Sequence, residues 1–230
     1  MQRSDAVVYR EITPLDYPRL KEMIINAFGL PRFSENRVVI NSLAEIYLRA
    51  TILVSTYHQV AIKGGNAIGF LYGRLNGEKY LSNRWWHRFV IVVHVMIAGM
   101  LSLFSLPTVL QALKYDQTYQ ALKAMCNKEF KSEVTGLIVA SESRGLGVGK
   151  RLYMDFVDYL DERGATSFFL FTDSALSYGF YEKQGMIREA TIPVTFNIKP
   201  TPETLEIYLY SRSVQTDASI QTWKFDEYSS

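Results

Sequence analysis

The sequence predicts an α+β fold with a helical insertion. Three observations lead there. Strand-like and helix-like stretches are both present, and the Gly64-Gly65-Asn66 turn between two strand-like runs signals an antiparallel hairpin. The run "EVTGLIVASESRGLGVGKRLYMDFVDYL" passes from a strand through three closely spaced glycines into an amphipathic helix. Residues 89–113 contain no Lys, Arg, Asp or Glu, although the whole chain carries 25 Lys+Arg and 23 Asp+Glu. With 230 residues the chain suits one domain, 1–230, long enough to bury a core without disulfide or metal staples.

The elements follow in order. "AVVYREI" (Ala6 to Ile12) is β-branched and aromatic enough for a strand. "TPLDYPRLKEMIINAF" opens with Thr13-Pro14, a helix-start signal, and spaces Leu20, Ile24 and Phe28 by fours. A second helix is expected over "SENRVVINSLAEIYLRATILV", with Ser34 as N-cap and Val39, Leu43, Ile46, Tyr47 and Ala50 at helical spacing. "YHQVAIKGGNAIGFLYGRL" reads as a hairpin around Gly64-Gly65-Asn66. Glu133 to Ala140 is a strand. In the helix after the glycine loop, Val148, Leu152, Tyr153, Phe156, Val157 and Leu160 share one face, Lys150, Arg151, Asp155, Asp158 and Asp161 take the other, and Gly164 closes it. "ATSFFLFT" is a buried strand and "SALSYGFYEKQG" a short helix ending at Gly185. "MIREATIPVTFNI" and "TLEIYLYSR" are the last strands, separated by "KPTPE". The tail, 213–230, is polar but carries Ile220, Trp223 and Phe225 with which to dock.

The uncharged run lies within an insertion over residues 77–130. It is long enough for a membrane span to be considered. A single crossing, however, would put strands of one sheet on opposite sides of a bilayer. Pro107 divides the run into two helices, about 84–104 and 107–127. The expected arrangement is a helical hairpin forming a lid or wall of an apolar acceptor pocket, with a homodimer sharing it as an open option. Contact with a membrane surface, suggested by Trp85 and Trp86 between Arg84 and Arg88, is the disfavoured option.

Composition excludes several classes. The single cysteine, Cys126, cannot form an intrachain disulfide. A net charge of +2 does not advertise a nucleic-acid surface, and no nucleic acid is expected as a partner. Arg3, Asp5, Arg10 and Glu11 interrupt what a signal peptide would need to be apolar, so a cytoplasmic setting is expected. His58, His87 and His94 are irregularly spaced with no cysteine or carboxylate cluster, and no metal is expected; His94 reads as a packed or pocket-lining histidine.

The glycine loop is the most informative motif. A Walker loop fails because Lys150 is followed by Arg151 and the glycines are too close together. A dinucleotide fingerprint fits poorly, since the spacing is G-x-G-x-G and the next strand's acidic residue, Asp173, comes late. What fits is Arg144-Gly145-Leu146-Gly147-Val148-Gly149, an R/Q-x-x-G-x-G/A pattern between strand and helix. Bare backbone there lets successive N–H groups turn onto a pyrophosphate, and the helix N-terminus adds a favourable dipole.

With "FYEKQGM" some thirty residues later, this loop resembles the GNAT superfamily of acyl-CoA-dependent N-acyltransferases, over Glu133 to about Ala190 and with a compatible element order from Ala6 to Leu75. The resemblance implies a GNAT fold, a mixed and mostly antiparallel sheet flanked by helices, with acetyl-CoA as co-substrate wedged where the fourth and fifth strands part. It implies direct acyl transfer to a small-molecule or peptide amine. Its pyrophosphate would be held by Arg144, Gly145, Leu146, Gly147, Val148, Gly149 and Lys150, and its pantetheine arm would pair with Leu137, Ile138 and Val139. Tyr181, in the motif's tyrosine position, would be the general acid, with Tyr178 in reserve. Glu133 would be the general base or else a solvated strand-start carboxylate; strand alternation puts it on the same side as Thr135 and Leu137. Glu142 is expected to face solvent. The chain departs from the family pattern in a short 140–143 stretch, in Ser174 where an asparagine is common, and in Ser177 where an alanine is. The alternative function is an inactive acyl-CoA-binding module.

Overall fold

Alternation in the strands and three-to-four spacing in the helices decide which residues meet. The computed structural model describes residues 6–32, 34–81, 84–101, 117–126, 128–196 and 202–214. Its elements are β1 (Val8–Arg10), α1 (Tyr17–Ala27), α2 (Arg37–Val54), β2 (Tyr57–Lys63), β3 (Asn66–Leu75), α3 (Arg84–Leu101), α4 (described over 117–125), β4 (Ser132–Val139), α5 (Val148–Asp161), β5 (Ser167–Asp173), α6 (Gly179–Lys183), β6 (Ile187–Phe196) and β7 (Glu203–Ser213). The break expected at Pro107 and the tail residues Ile220, Trp223 and Phe225 lie outside the described residues.

The seven strands form one sheet in the order β1-β2-β3-β4-β5-β7-β6. Every neighbouring pair is antiparallel except β4 and β5. The β2–β3 hairpin turns at Gly64 and Gly65, both with positive φ (57° and 85°), as a two-residue loop of this kind requires. Two local expectations shift. The first strand is shorter than Ala6 to Ile12. The cap of α2 is Asn36, whose side chain accepts from the Val38 N–H at 2.9 Å, while Ser34 Oγ serves the Asn36 N–H.

On one face of the sheet, α5 and α6 cover a continuous core that includes Leu71, Val134, Leu152, Phe156, Phe168 and Tyr210. On the other, the core is broken in two. Leu20, Ile24, Leu48, Phe70 and Ile138 pack under α1 and α2, and Leu122, Phe169, Ile207 and Leu209 pack under α4. The break falls between β4 and β5.

Buried charge ties the helices of the first half together. Glu45, 5% exposed, takes Lys21 at 2.6 Å and Arg49 at 2.7 Å, joining α1 to α2. Burial works to raise its carboxyl, and those two hydrogen bonds outweigh it and hold it below the ordinary value. Arg49 also reaches His87 on α3. α3 thus lies along α2, with His87 beside Arg49 and His94 Nδ1 3.1 Å from Ser42 Oγ.

Candidate active site

The candidate site grows from the seam where β4 and β5 separate. These parallel strands are matched only at Glu133 and Phe169, whereas β4 keeps its ladder with β3. Beyond Glu133, β4 therefore turns an unpaired edge toward β5. The Ala140 N–H donates to the Ile68 carbonyl at 2.9 Å, across β3. Alternation then commits the N–H and C=O of Ile138 to β3 as well, and turns those of Leu137 and Val139 into the gap. Of the three residues expected to offer backbone, Ile138 is the exception, and its side chain is buried at 7% exposure.

At the far end of β4 the loop opens. Gly145 and Gly147 have φ of 81° and 76°, a region that a β-carbon makes costly, and Gly147 is the N-cap of α5. A β-carbon built on either meets nothing within 4 Å, so the space before the loop is open. Among the described residues no acceptor meets the N–H groups of Gly145, Leu146, Gly147, Val148, Gly149 and Lys150; the first bond back is from Arg151 N–H to the Gly147 carbonyl at 3.0 Å. Successive unpaired donors thus surround the positive end of a 14-residue helix. Arg144 and Lys150 are exposed and meet no carboxylate among the described residues, whereas Arg151 is held by Asp155 at 2.7 Å. Beside the loop lies a cleft lined by Arg19, Met23 and Asn26 of α1 and by Val139, Ser141 and Arg144. Glu142 is exposed as expected and also pairs with Arg19 at 2.5 Å, pinning α1 to the loop.

What seats this loop is a feature the sequence reading passed over. Gly69 and Gly73 lie on one face of β3. A β-carbon on Gly69 would stand 2.8 Å from Val148 Cγ1, and one on Gly73 2.2 Å from Phe156 Cε2. The two bare positions form a groove for α5, and the seat under Val148 sets where the helix begins. Glycines four apart inside an otherwise apolar strand were the available signal.

Tyr181 and Tyr47 come from opposite faces of the sheet, close enough for the Tyr47 phenol to act on that of Tyr181. Tyr181 on α6 is half-buried, packs against Phe180 (ring centroids 5.3 Å) and Tyr210 (6.3 Å), and its hydroxyl has no hydrogen-bond partner among the described residues. Burial, with the Tyr47 and Tyr153 phenols nearby, pushes its own phenol well above the ordinary value, so it stays protonated. Tyr178 is turned elsewhere, its ring against Tyr208 (5.2 Å) and under the Arg188 guanidinium (5.4 Å). Tyr47, read from the sequence only as a helix-face residue, brings its hydroxyl within 3.4 Å of where a β-carbon on Gly136 would stand. Burial raises that phenol to about 12.

Glu133 sits where the seam is closed. Its carboxylate accepts from Arg74 Nη2 at 2.6 Å, and burial raises its carboxyl above the ordinary range against the pull of Arg74 and Lys123. The expectation that it shares a side with Leu137 is corrected. Tyr72 pairs with Gly136 and Gly73 with Val134, so Thr135 is an extra residue, a β-bulge. Val134 and Leu137 both face α5 as a result, and Glu133 falls on the α2 side, where Thr135 Oγ1 meets Ser55 Oγ at 2.8 Å.

The model of the acetyltransferase (GNAT) family matches residues 45–186, more than half of the chain. The chain belongs to the GNAT acetyltransferase family. Among solved structures, the GNAT fold is shared with the ribosomal-protein-S18-alanine N-acetyltransferase from Escherichia coli, at 9% identity, 92% coverage of this chain, 96% of that one and a TM-score of 0.54. YncA from Salmonella typhimurium, solved with its cofactor acetyl-CoA, is similar at 12% identity, 93% and 97% coverage and a TM-score of 0.52. Ard1 from Thermoplasma volcanium is similar at 14% identity, 92% and 99% coverage and a TM-score of 0.50. At such identities the likeness is one of fold. No curated protein gives a significant sequence match. In this GNAT chain the family match ends at Met186 and so takes in both the Arg144 loop and the "FYEKQG" stretch.

Proposed function

We propose that this chain transfers the acetyl group of acetyl-CoA to the nitrogen of an amine by direct attack. The observation that carries the reading is the set of unpaired N–H groups from Gly145 to Lys150 opening beside the unpaired edge of β4. A pyrophosphate with several anionic oxygens needs such donors, and Arg144 and Lys150 add charge with no competing carboxylate among the described residues. An extended amide-bearing arm needs a strand edge, which Leu137 and Val139 supply. In the reaction a carbon–sulfur bond breaks, a carbon–nitrogen bond forms, the amine loses a proton and the thiolate gains one. Tyr181, protonated and with its hydroxyl unengaged among the described residues, is assigned as the donor to the thiolate.

Glu133 is assigned as the base. Its raised carboxyl favours taking a proton at mild pH, and its place at the closed end of the seam, about 13 Å along the strand from Leu137, means that it acts through intervening water. The acceptor is a small-molecule or peptide amine reaching the seam from the α2 side, where the core is broken. The test is release of free thiol from acetyl-CoA across a panel of amines, run with calorimetry on Gly147→Asp. Acetyl-CoA binding by the wild type, lost when a carboxylate is set against the loop, is the expected result. A folded Gly147→Asp protein with unchanged affinity would remove the loop from this role, and binding without thiol release from any amine would leave an acyl-CoA-binding module.

A further inference from the structure

α3 is apolar on nearly every side, including the side that faces outward. The side it lays on α2 carries His87 and His94, seven residues apart, hydrogen-bonded to Arg49 and Ser42. The side it turns outward is apolar. Trp85, Phe89, Val92, Met96 and Met100 recur every three or four residues, at 70%, 48%, 59%, 60% and 70% exposure. A surface helix in water ordinarily turns a polar face outward. Over 18 residues the outward stripe runs about 27 Å. It is too large and continuous to be a scatter of single exposed side chains.

The charges say what it faces. α3 contains no Asp or Glu, and its only charged residues, Arg84 and Arg88, are exposed at the same end as Trp85 and Trp86. Arg84 also lies over the exposed ring of Tyr80, 4.4 Å from its centroid. Indoles and guanidiniums at one end of a long apolar face match the boundary of a bilayer, where indoles sit among headgroups, guanidiniums pair with phosphates and aliphatic side chains enter the acyl region. A second copy fits less well. In a two-fold pairing each surface meets itself, and α3 offers no carboxylate to receive the opposing Arg84 and Arg88. Among the described residues no helix is long and apolar enough to cross a membrane, and α3 lies lengthwise on α2 through His87 and His94, so its outward face would lie along the interface. We propose that the outward face of α3 docks this protein on a membrane containing anionic lipid.

The experiment is flotation of the full chain with vesicles of phosphatidylcholine alone or mixed with phosphatidylglycerol. Co-flotation with the mixed vesicles, weakened by salt, is expected. Arg84→Gln with Arg88→Gln should lower partitioning roughly 30-fold, since each arginine near an anionic surface contributes about fivefold. Trp85→Ser with Trp86→Ser should abolish it. All four side chains are exposed, and circular dichroism checks that the variants fold. Quenching of wild-type tryptophan fluorescence by brominated lipid gives a readout that needs no variant. Failure to float with either vesicle, or flotation indifferent to the arginines and tryptophans, overturns the proposal. A concentration-dependent dimer dissociated by Val92→Asp assigns the face to a second copy and overturns it equally.

Discussion

Two tyrosines three positions apart, at and within one short helix, meet different surroundings. Tyr178 is packed with Tyr208 and Arg188, while Tyr181 packs against Phe180 and Tyr210, near the Tyr47 phenol, with its hydroxyl unengaged among the described residues. Removing that hydroxyl should cost the reaction and not the binding, because it acts as sulfur departs. Tyr181→Phe is therefore expected to lower kcat about 100-fold with little change in KM for acetyl-CoA. Steady-state kinetics check this, and nearly full kcat would transfer the role to Tyr178. For Glu133 the sign follows from burial. A base works when deprotonated, and a carboxyl raised by desolvation loses its proton at a higher pH than an ordinary one, so activity should climb with pH through that raised value. Glu133→Gln should depress activity most at and above that value, where the wild-type carboxylate is free to take the proton, and so flatten this limb. A pH–rate profile of unchanged shape would make the Arg74 pair purely structural.

At the scale of elements, α5 is positioned by what β3 lacks. Phe156 is fully buried over Gly73, and Val148 and Leu152 lie over Gly69. Because Val148 opens α5 next to Gly147, any displacement of this helix is passed to the loop. Gly73→Ala would drive a methyl group into the Phe156 ring, whose Cε2 is 2.2 Å from the new carbon. Overpacking of this kind costs about 1–3 kcal/mol or more. For a chain of this length that is a melting temperature roughly 5–10 °C lower. Differential scanning calorimetry checks it, and a shift under about 2 °C would mean that α5 can lift from the sheet at little cost.

For the whole molecule, the sheet is continuous on the α5 face and split on the α2 face, so a ligand in the seam joins two half-cores. Acetyl-CoA at about 100 times its Kd should stabilise the fold by about 2.7 kcal/mol, raising the melting temperature roughly 5–10 °C. Hydrogen exchange should slow at the Leu137 and Val139 amides and change little at Ile138, which β3 already holds. Equal protection of all three, or none, would argue against an arm paired along β4.

Patterns that act within one element could be read directly from the chain. The apolar faces of α1 and α5 and the Gly64-Gly65 turn depend on residues a few positions apart, and the structure shows them where spacing predicts. So does the parting of β4 from β5, which the family resemblance implied. Features set by a partner distant in sequence were not legible. The bulge at Thr135 depends on the register with Tyr72 and Gly73, and it moves Glu133 to the side opposite Leu137. The same pairing with β3 separates Ile138 from its two neighbours. The orientation of α3 was hidden for a related reason. Its sequence is apolar nearly all round, and the choice of inward face came from Arg49 and Ser42 on α2, polar groups that need a hydrogen-bonding partner at the helix contact and find it in His87 and His94.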